Sequence, residues 1–195
     1  LSLLAVVRRE DFVPPAYRAL AFVDTEVPLP AGQCMLAPRV EARLLQELQL
    51  QRNESLLEVG TGSGFMAALL AHRSRQVVSL EISEALTRMA QDNLRRAAVM
   101  NAAVRCADGS AGLSGEAPFD AIVLSGSVAA VPQALLDQLA ALGAAGDRGL
   151  GQGAARLQFV QRIPGRCHVA DQRQAEGALG VFAGEEVRAR GIVEV

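Results

Sequence analysis

Leu57-Glu58-Val59-Gly60-Thr61-Gly62-Ser63-Gly64-Phe65 is the stretch that decides how this chain is read. The apolar run Leu56-Leu57-Glu58-Val59 has strand length and ends in three glycines at alternate positions, after which Phe65, Met66, Leu69 and Leu70 recur at helical spacing. A strand, a glycine turn and a helix in that order predict a nucleotide-binding turn. Glycine lets the backbone bend sharply and lets a ligand approach with no Cβ in the way. The spacing is Gly-x-Gly-x-Gly. A dinucleotide fingerprint wants its third glycine one residue later, where this chain has Phe65, so a nicotinamide-dependent reductase is disfavoured.

Outward from that turn, strand and helix patterns alternate. Val77-Val78-Ser79-Leu80 reads as a second strand ending at Glu81, 21 residues after Gly60. Ser83 caps a helix with Leu86, Met89, Ala90 and Leu94 on one face. A third strand is predicted around Ala103 to Cys106, followed by Asp108-Gly109, and a fourth at Ala121-Ile122-Val123-Leu124. Val131-Pro132 leads into a helix bearing Leu135, Leu136, Leu139 and Leu142. Upstream, Pro38 opens a helix with Val40, Leu44, Leu45 and Leu48, preceded by Pro-punctuated segments and a short helix from Leu3 to Val7. This alternation predicts an α/β fold: a Rossmann-like, doubly wound, mostly parallel sheet with helices on both faces and ligands at the carboxyl ends of its strands. There, Glu81 can accept hydrogen bonds from ribose hydroxyls, and Asp108 can meet an adenine amino group.

At 195 residues the chain fits one domain, and 50% hydrophobic residues allow a sizeable core. The net charge is −2 and all 19 basic residues are Arg, scattered along the chain, which argues against nucleic acid or an anionic membrane as partner. No apolar run reaches membrane-spanning length and no signal peptide is visible, so a cytoplasmic protein is expected. Cys34, Cys106 and Cys167 are far apart and odd in number, and His72 and His168 lack ligand spacing to them. Reduced thiols and no metal site are expected.

The motifs together make the chain resemble the protein-L-isoaspartate O-methyltransferase family over roughly residues 6–140. The resemblance rests on Arg9-Glu10-Asp11-Phe12-Val13-Pro14, Gly32-Gln33 with Ala37-Pro38, Leu57 to Gly64, Leu80-Glu81, Asp108-Gly109, and Val131-Pro132 followed by Leu135 to Leu139. It implies S-adenosylmethionine as cofactor and an isoaspartyl protein or peptide as methyl acceptor. Carried over by position, Glu58, Gly60, Thr61, Gly62, Ser63 and Gly64 would hold the methionine part of the cofactor. Glu81 and Ile82 would take the ribose side, Asp108 and Gly109 the adenine, and Cys34, Met35 and Leu36 would pass beside the sulfonium. Residues 1–50 would form a substrate-side segment, 51–142 the cofactor-binding core and 143–195 a divergent tail.

Two departures from the family stand out. Its loop reads Gly-Gln-Thr-Ile-Ser, whereas this chain reads Gly32-Gln33-Cys34-Met35-Leu36, so Leu36 takes the place of the serine regarded as catalytic and no catalytic side chain is assigned. That leaves open a different acceptor, or binding without turnover. The last 55 residues carry ten of the 18 glycines and depart from the family's ending. They are expected to be poor in long strands, and to be read in a shifted frame relative to the family.

Overall fold

The apolar runs on either side of the glycine turn become neighbouring parallel strands. The computed structural model describes residue 3, residues 6–127 and 131–140, and the backbone of Arg156–Ile163 and Arg166–Asp171. In chain order the elements are β1 (Val27–Pro28), β2 (Cys34–Met35), α1 (Pro38–Leu48), β3 (Ser55–Val59), α2 (Phe65–Ala71) and β4 (Gln76–Glu81). They continue with α3 (Glu84–Arg96), β5 (Ala102–Cys106), β6 (Ala121–Leu124), α4 (Gln133–Leu136), β7 (Arg156–Ile163) and β8 (Arg166–Asp171). The main sheet runs β5-β4-β3-β6-β7-β8. All its pairings are parallel except β7 with β8. β1 and β2 form a separate antiparallel hairpin.

Side chains alternate across a strand, and this alternation sorts the core into two layers. Leu56, Val77, Val104, Ala121 and Val123 join Leu44 and Leu48 of α1, Leu69 and Leu70 of α2, and Leu86 and Leu94 of α3. Leu57, Val78, Leu80, Ile122 and Leu124 point to the opposite side, against Phe119 and Leu135. Each fully buried Leu or Ile contributes about 1.5–3 kcal/mol relative to exposure. The helices start where the sequence predicts: Pro38 is the first residue of α1, and Ser83 Oγ accepts the Leu86 N–H (3.4 Å) at the start of α3.

Two expectations change. The helix after Pro132 lasts one turn instead of running to Leu142. The chain turns back because Phe119 N–H donates to the Gln138 carbonyl (2.9 Å), Ala140 N–H donates to the Phe119 carbonyl (2.8 Å), and Leu139 bridges Phe119. Those pairings replace the helix's own hydrogen bonds. The tail, expected to be poor in long strands, supplies β7, at eight residues the longest strand described. The β6 edge offers β7 a ready parallel partner, with Ile122 in register with Leu157 and Leu124 with Phe159.

Candidate functional site

Strand order reverses at β3, which has β4 on one side and β6 on the other. In an open parallel sheet the crevice outside the carboxyl ends at such a reversal is where ligands bind. Here a cavity of about 420 Å³ opens there, within the range of small-molecule sites.

The glycine turn forms its floor. Gly60 has φ +91°, and a Cβ there would lie 2.4 Å from the Gly126 nitrogen, so only glycine lets the turns after β3 and β6 touch. The turn is held by backbone bonds: Gly60 N–H donates to the Leu80 carbonyl (2.8 Å) and Gly126 N–H to the Val59 carbonyl (3.0 Å). Glu81, at the end of β4, is buried and accepts the N–H groups of Gly62 (Oε2, 2.9 Å) and Ser83 (Oε1, 2.9 Å). Asp108 follows β5 and is exposed. Its Oδ1 accepts the Ser110 N–H (2.9 Å), which holds its carboxyl below the usual range, so it is ionised at neutral pH.

Behind the floor lies a buried polar chain. Glu58 is fully buried; its Oε2 accepts Ser79 Oγ–H (2.6 Å) and its Oε1 accepts Ser125 Oγ–H (2.8 Å). The Ser79 hydroxyl also meets Thr61 Oγ1 (2.5 Å). Burial pushes the Glu58 carboxyl up to about 7, and the two hydroxyls only partly offset it.

Of the expected site residues, Cys34, Leu36, Gly60, Gly62, Glu81, Ile82, Asp108 and Gly109 line the cavity. Met35, Glu58, Thr61, Ser63 and Gly64 do not; Met35, Glu58, Thr61 and Ser63 are buried. They support the walls from behind. Sequence reasoning missed Gln33, Ser83 and Ser110, and the whole Ser125-Gly126-Ser127 turn. The last had a signal: it follows an apolar strand and contains a glycine, as the turn after β3 does.

The lining of described residues holds two carboxylates, Glu81 and Asp108, and no Arg or His. Such a surface attracts a cation and offers acceptors to hydroxyl and amino groups, while a diphosphate would meet repulsion without a counter-charge. Among the described residues no group of three or more His, Cys, Asp or Glu is placed to hold a metal ion. None of the described helices is long and apolar enough to cross a membrane.

Comparison with known proteins decides the family. The model of the protein-L-isoaspartate(D-aspartate) O-methyltransferase family matches residues 1–145. The chain belongs to this family. A protein-L-isoaspartate O-methyltransferase 2 from Syntrophobacter fumaroxidans is 41% identical over 71% of this chain and 56% of its own length. A Myxococcus xanthus protein-L-isoaspartate O-methyltransferase is 40% identical over 83% of this chain and 78% of its own. The chain thus spans only a little over half the length of the Syntrophobacter relative, and 46–78% of the lengths of seven further relatives. The crystal structure of a Plasmodium falciparum protein-L-isoaspartate O-methyltransferase in complex with S-adenosyl-L-homocysteine has the same fold. Its TM-score is 0.69 at 21% identity, over 87% of this chain and 79% of the other.

Proposed function

We propose that this member of the family binds S-adenosylmethionine in the cavity and methylates the carboxylate of L-isoaspartyl and D-aspartyl residues in damaged proteins, in the cytoplasm. The observation that carries the reading is the pairing of two carboxylates with no cation around a glycine-floored cavity. That suits a ligand with a sulfonium, an ammonium, a ribose and an adenine. The bound cofactor supplies an activated methyl group.

The rest of the mechanism is alignment by this chain. Glu81 is oriented by the Gly62 and Ser83 amides, lines the cavity, and would accept the ribose hydroxyls. Asp108 would accept the adenine amino group, with Ile82 and Gly109 flanking that end, and Gly60 and Gly62 would leave room for the methionine part. Cys34 and Leu36 line the cavity and would flank the sulfonium of the bound cofactor. A carboxylate acceptor, with an unperturbed pKa of about 3.3–3.9, is already ionised at pH 7 and needs no general base. Holding it in line is worth up to about 7–11 kcal/mol. This accommodates Leu36, since one lost hydrogen bond to a charged acceptor costs about 1.5–3 kcal/mol.

Incubation with labelled S-adenosylmethionine and an isoaspartyl peptide tests the reading: a base-labile methyl ester on the peptide is expected, and none on its aspartyl twin. Calorimetry should show S-adenosylhomocysteine binding and no NAD binding. Leu36 at the cavity wall favours one second reading, a different methyl acceptor. Leu36→Ser separates the two, since the isoaspartyl rate should rise about ten- to a hundredfold under the first and stay flat under the second.

A further inference from the structure

Arg9 is the one cation among the described residues that is almost fully buried, at 3% exposure. Its guanidinium uses each edge for a different segment. Nε donates to the Ala21 carbonyl (2.7 Å), Nη2 donates to the Leu36 carbonyl (2.7 Å), and Nη1 pairs with Glu41 Oε2 on α1. Its plane lies over the Phe65 ring, 5.0 Å from the centroid, and Phe12 meets the same ring edge-on at 5.5 Å. Phe65 is the first residue after the glycine turn, and Leu36 lines the cavity. Burial lowers the Arg9 pKa to about 10, which leaves it charged at neutral pH. One charged, planar group therefore joins the N-terminal turn, the segment ending at Ala21, the β2 wall, α1 and the start of α2.

We propose that Arg9 is a positioning residue, which by holding the Leu36 carbonyl sets the Cys34–Leu36 wall of the cavity at the depth the methyl acceptor requires. The assignment rests on the methyl-transfer reading for its kinetic consequence and on geometry alone for its structural one. Only a rigid fork can bond two carbonyls and a carboxylate while stacking on an aromatic ring; an ammonium is a point charge on a flexible stem. The β1 pairing holds Cys34 and Met35, and Leu36, just past that hairpin, has no side-chain polar group, so its peptide carbonyl is the handle by which Arg9 holds the end of this wall.

The experiment uses Arg9→Lys in the full chain, which keeps a charge for Glu41 and cannot reach the Ala21 and Leu36 carbonyls together. Amide hydrogen exchange of residues 33–37 should quicken about ten- to a hundredfold, the equivalent of one lost charged hydrogen bond, with residues 76–81 unchanged. With an isoaspartyl peptide, kcat should fall by a similar factor, while KM and the Kd for S-adenosylhomocysteine move less than about threefold. Unchanged exchange at 33–37 overturns the proposal, and so does a loss of rate that vanishes on cooling below the variant's melting range. If Arg9→Lys does not fold, Glu41→Asp draws the guanidinium back while keeping the pair, and the same local exchange signature is expected. A wild type that binds S-adenosylhomocysteine without methylating the peptide refutes the acceptor, while the exchange result still decides the role of Arg9.

Discussion

Glu58 accepts two hydroxyls and is buried behind the glycine turn, and its carboxyl is pushed up from 4.5 to about 7. Between those values the folded chain holds a proton that the unfolded chain has released, so stability falls as pH rises through this window, by about 3 kcal/mol in all. Glu58→Gln has no charge to bury. Its melting point should match the wild type near pH 5 and exceed it by roughly 6–12 °C at pH 8; a difference that does not change with pH would remove Glu58 as the titrating group. Glu81 lies at the cavity itself, held by the Gly62 and Ser83 N–H groups. Glu81→Ala should weaken S-adenosylhomocysteine binding by about 1.5–3 kcal/mol, read by calorimetry. At this scale the sequence was partly legible. Residues after β3 alternate between the cavity and the support behind it, so Gly60 and Gly62 face the ligand space while Thr61 and Ser63 are buried. The Gly60-x-Gly62 spacing encodes that alternation, while Gly64 packs against Ala90, and the same alternation explains why Thr61 and Ser63, expected among the binding residues, lie outside the lining.

Each element predicted from periodicity between Pro38 and Leu136 exists, because its apolar run found a neighbour for its buried face; the short helix expected from Leu3 to Val7 lies partly outside the described residues. Where the prediction overshot, at α4, the competing partner was Phe119, some 20 residues earlier and invisible to local pattern. Gln138 adds to this by donating from Nε2 to the Ala111 carbonyl (2.8 Å) and accepting the Leu113 N–H at Oε1 (2.6 Å). The turn between β3 and α2 allows a paired test. A methyl at Gly60 meets backbone at 2.4 Å, whereas at Gly62 (φ +56°) the nearest atom is the mobile Leu29 Cδ1 at 3.4 Å. Gly60→Ala adds a clash to its left-handed strain and should cost about 3 kcal/mol or more, against about 1–2 kcal/mol for Gly62→Ala. Urea denaturation of the two variants compares them; equal losses would mean that the turns after β3 and β6 are free to separate.

The whole chain divides into residues 1–145, which the family model matches, and a remainder beyond that match. β7 and β8 complete the sheet from that remainder, so its composition alone misled: Leu157-Gln158-Phe159-Val160 needed only an open β6 edge to become part of a long strand. The expected change of frame concerns Gly146-Asp147-Arg148-Gly149, which lies outside the described residues. Sequencing the coding DNA is expected to show GAT-CGT-GG across Asp147 to Gly149, which one base out of register reads Ile-Val-Gly. A coding sequence in which no single-base shift near codon 142 restores an apolar strand would make the tail native. Finally, β3 pairs directly with both β4 and β6, and Asp120 closes onto Ser55 from 65 positions away. During synthesis at about 5–20 residues per second, the free edge of β3 therefore waits roughly 3–13 s for its second neighbour. For that interval an apolar strand edge is open to other nascent chains, which makes the ribosome-bound half-sheet, rather than the finished protein, the form with most need of a chaperone.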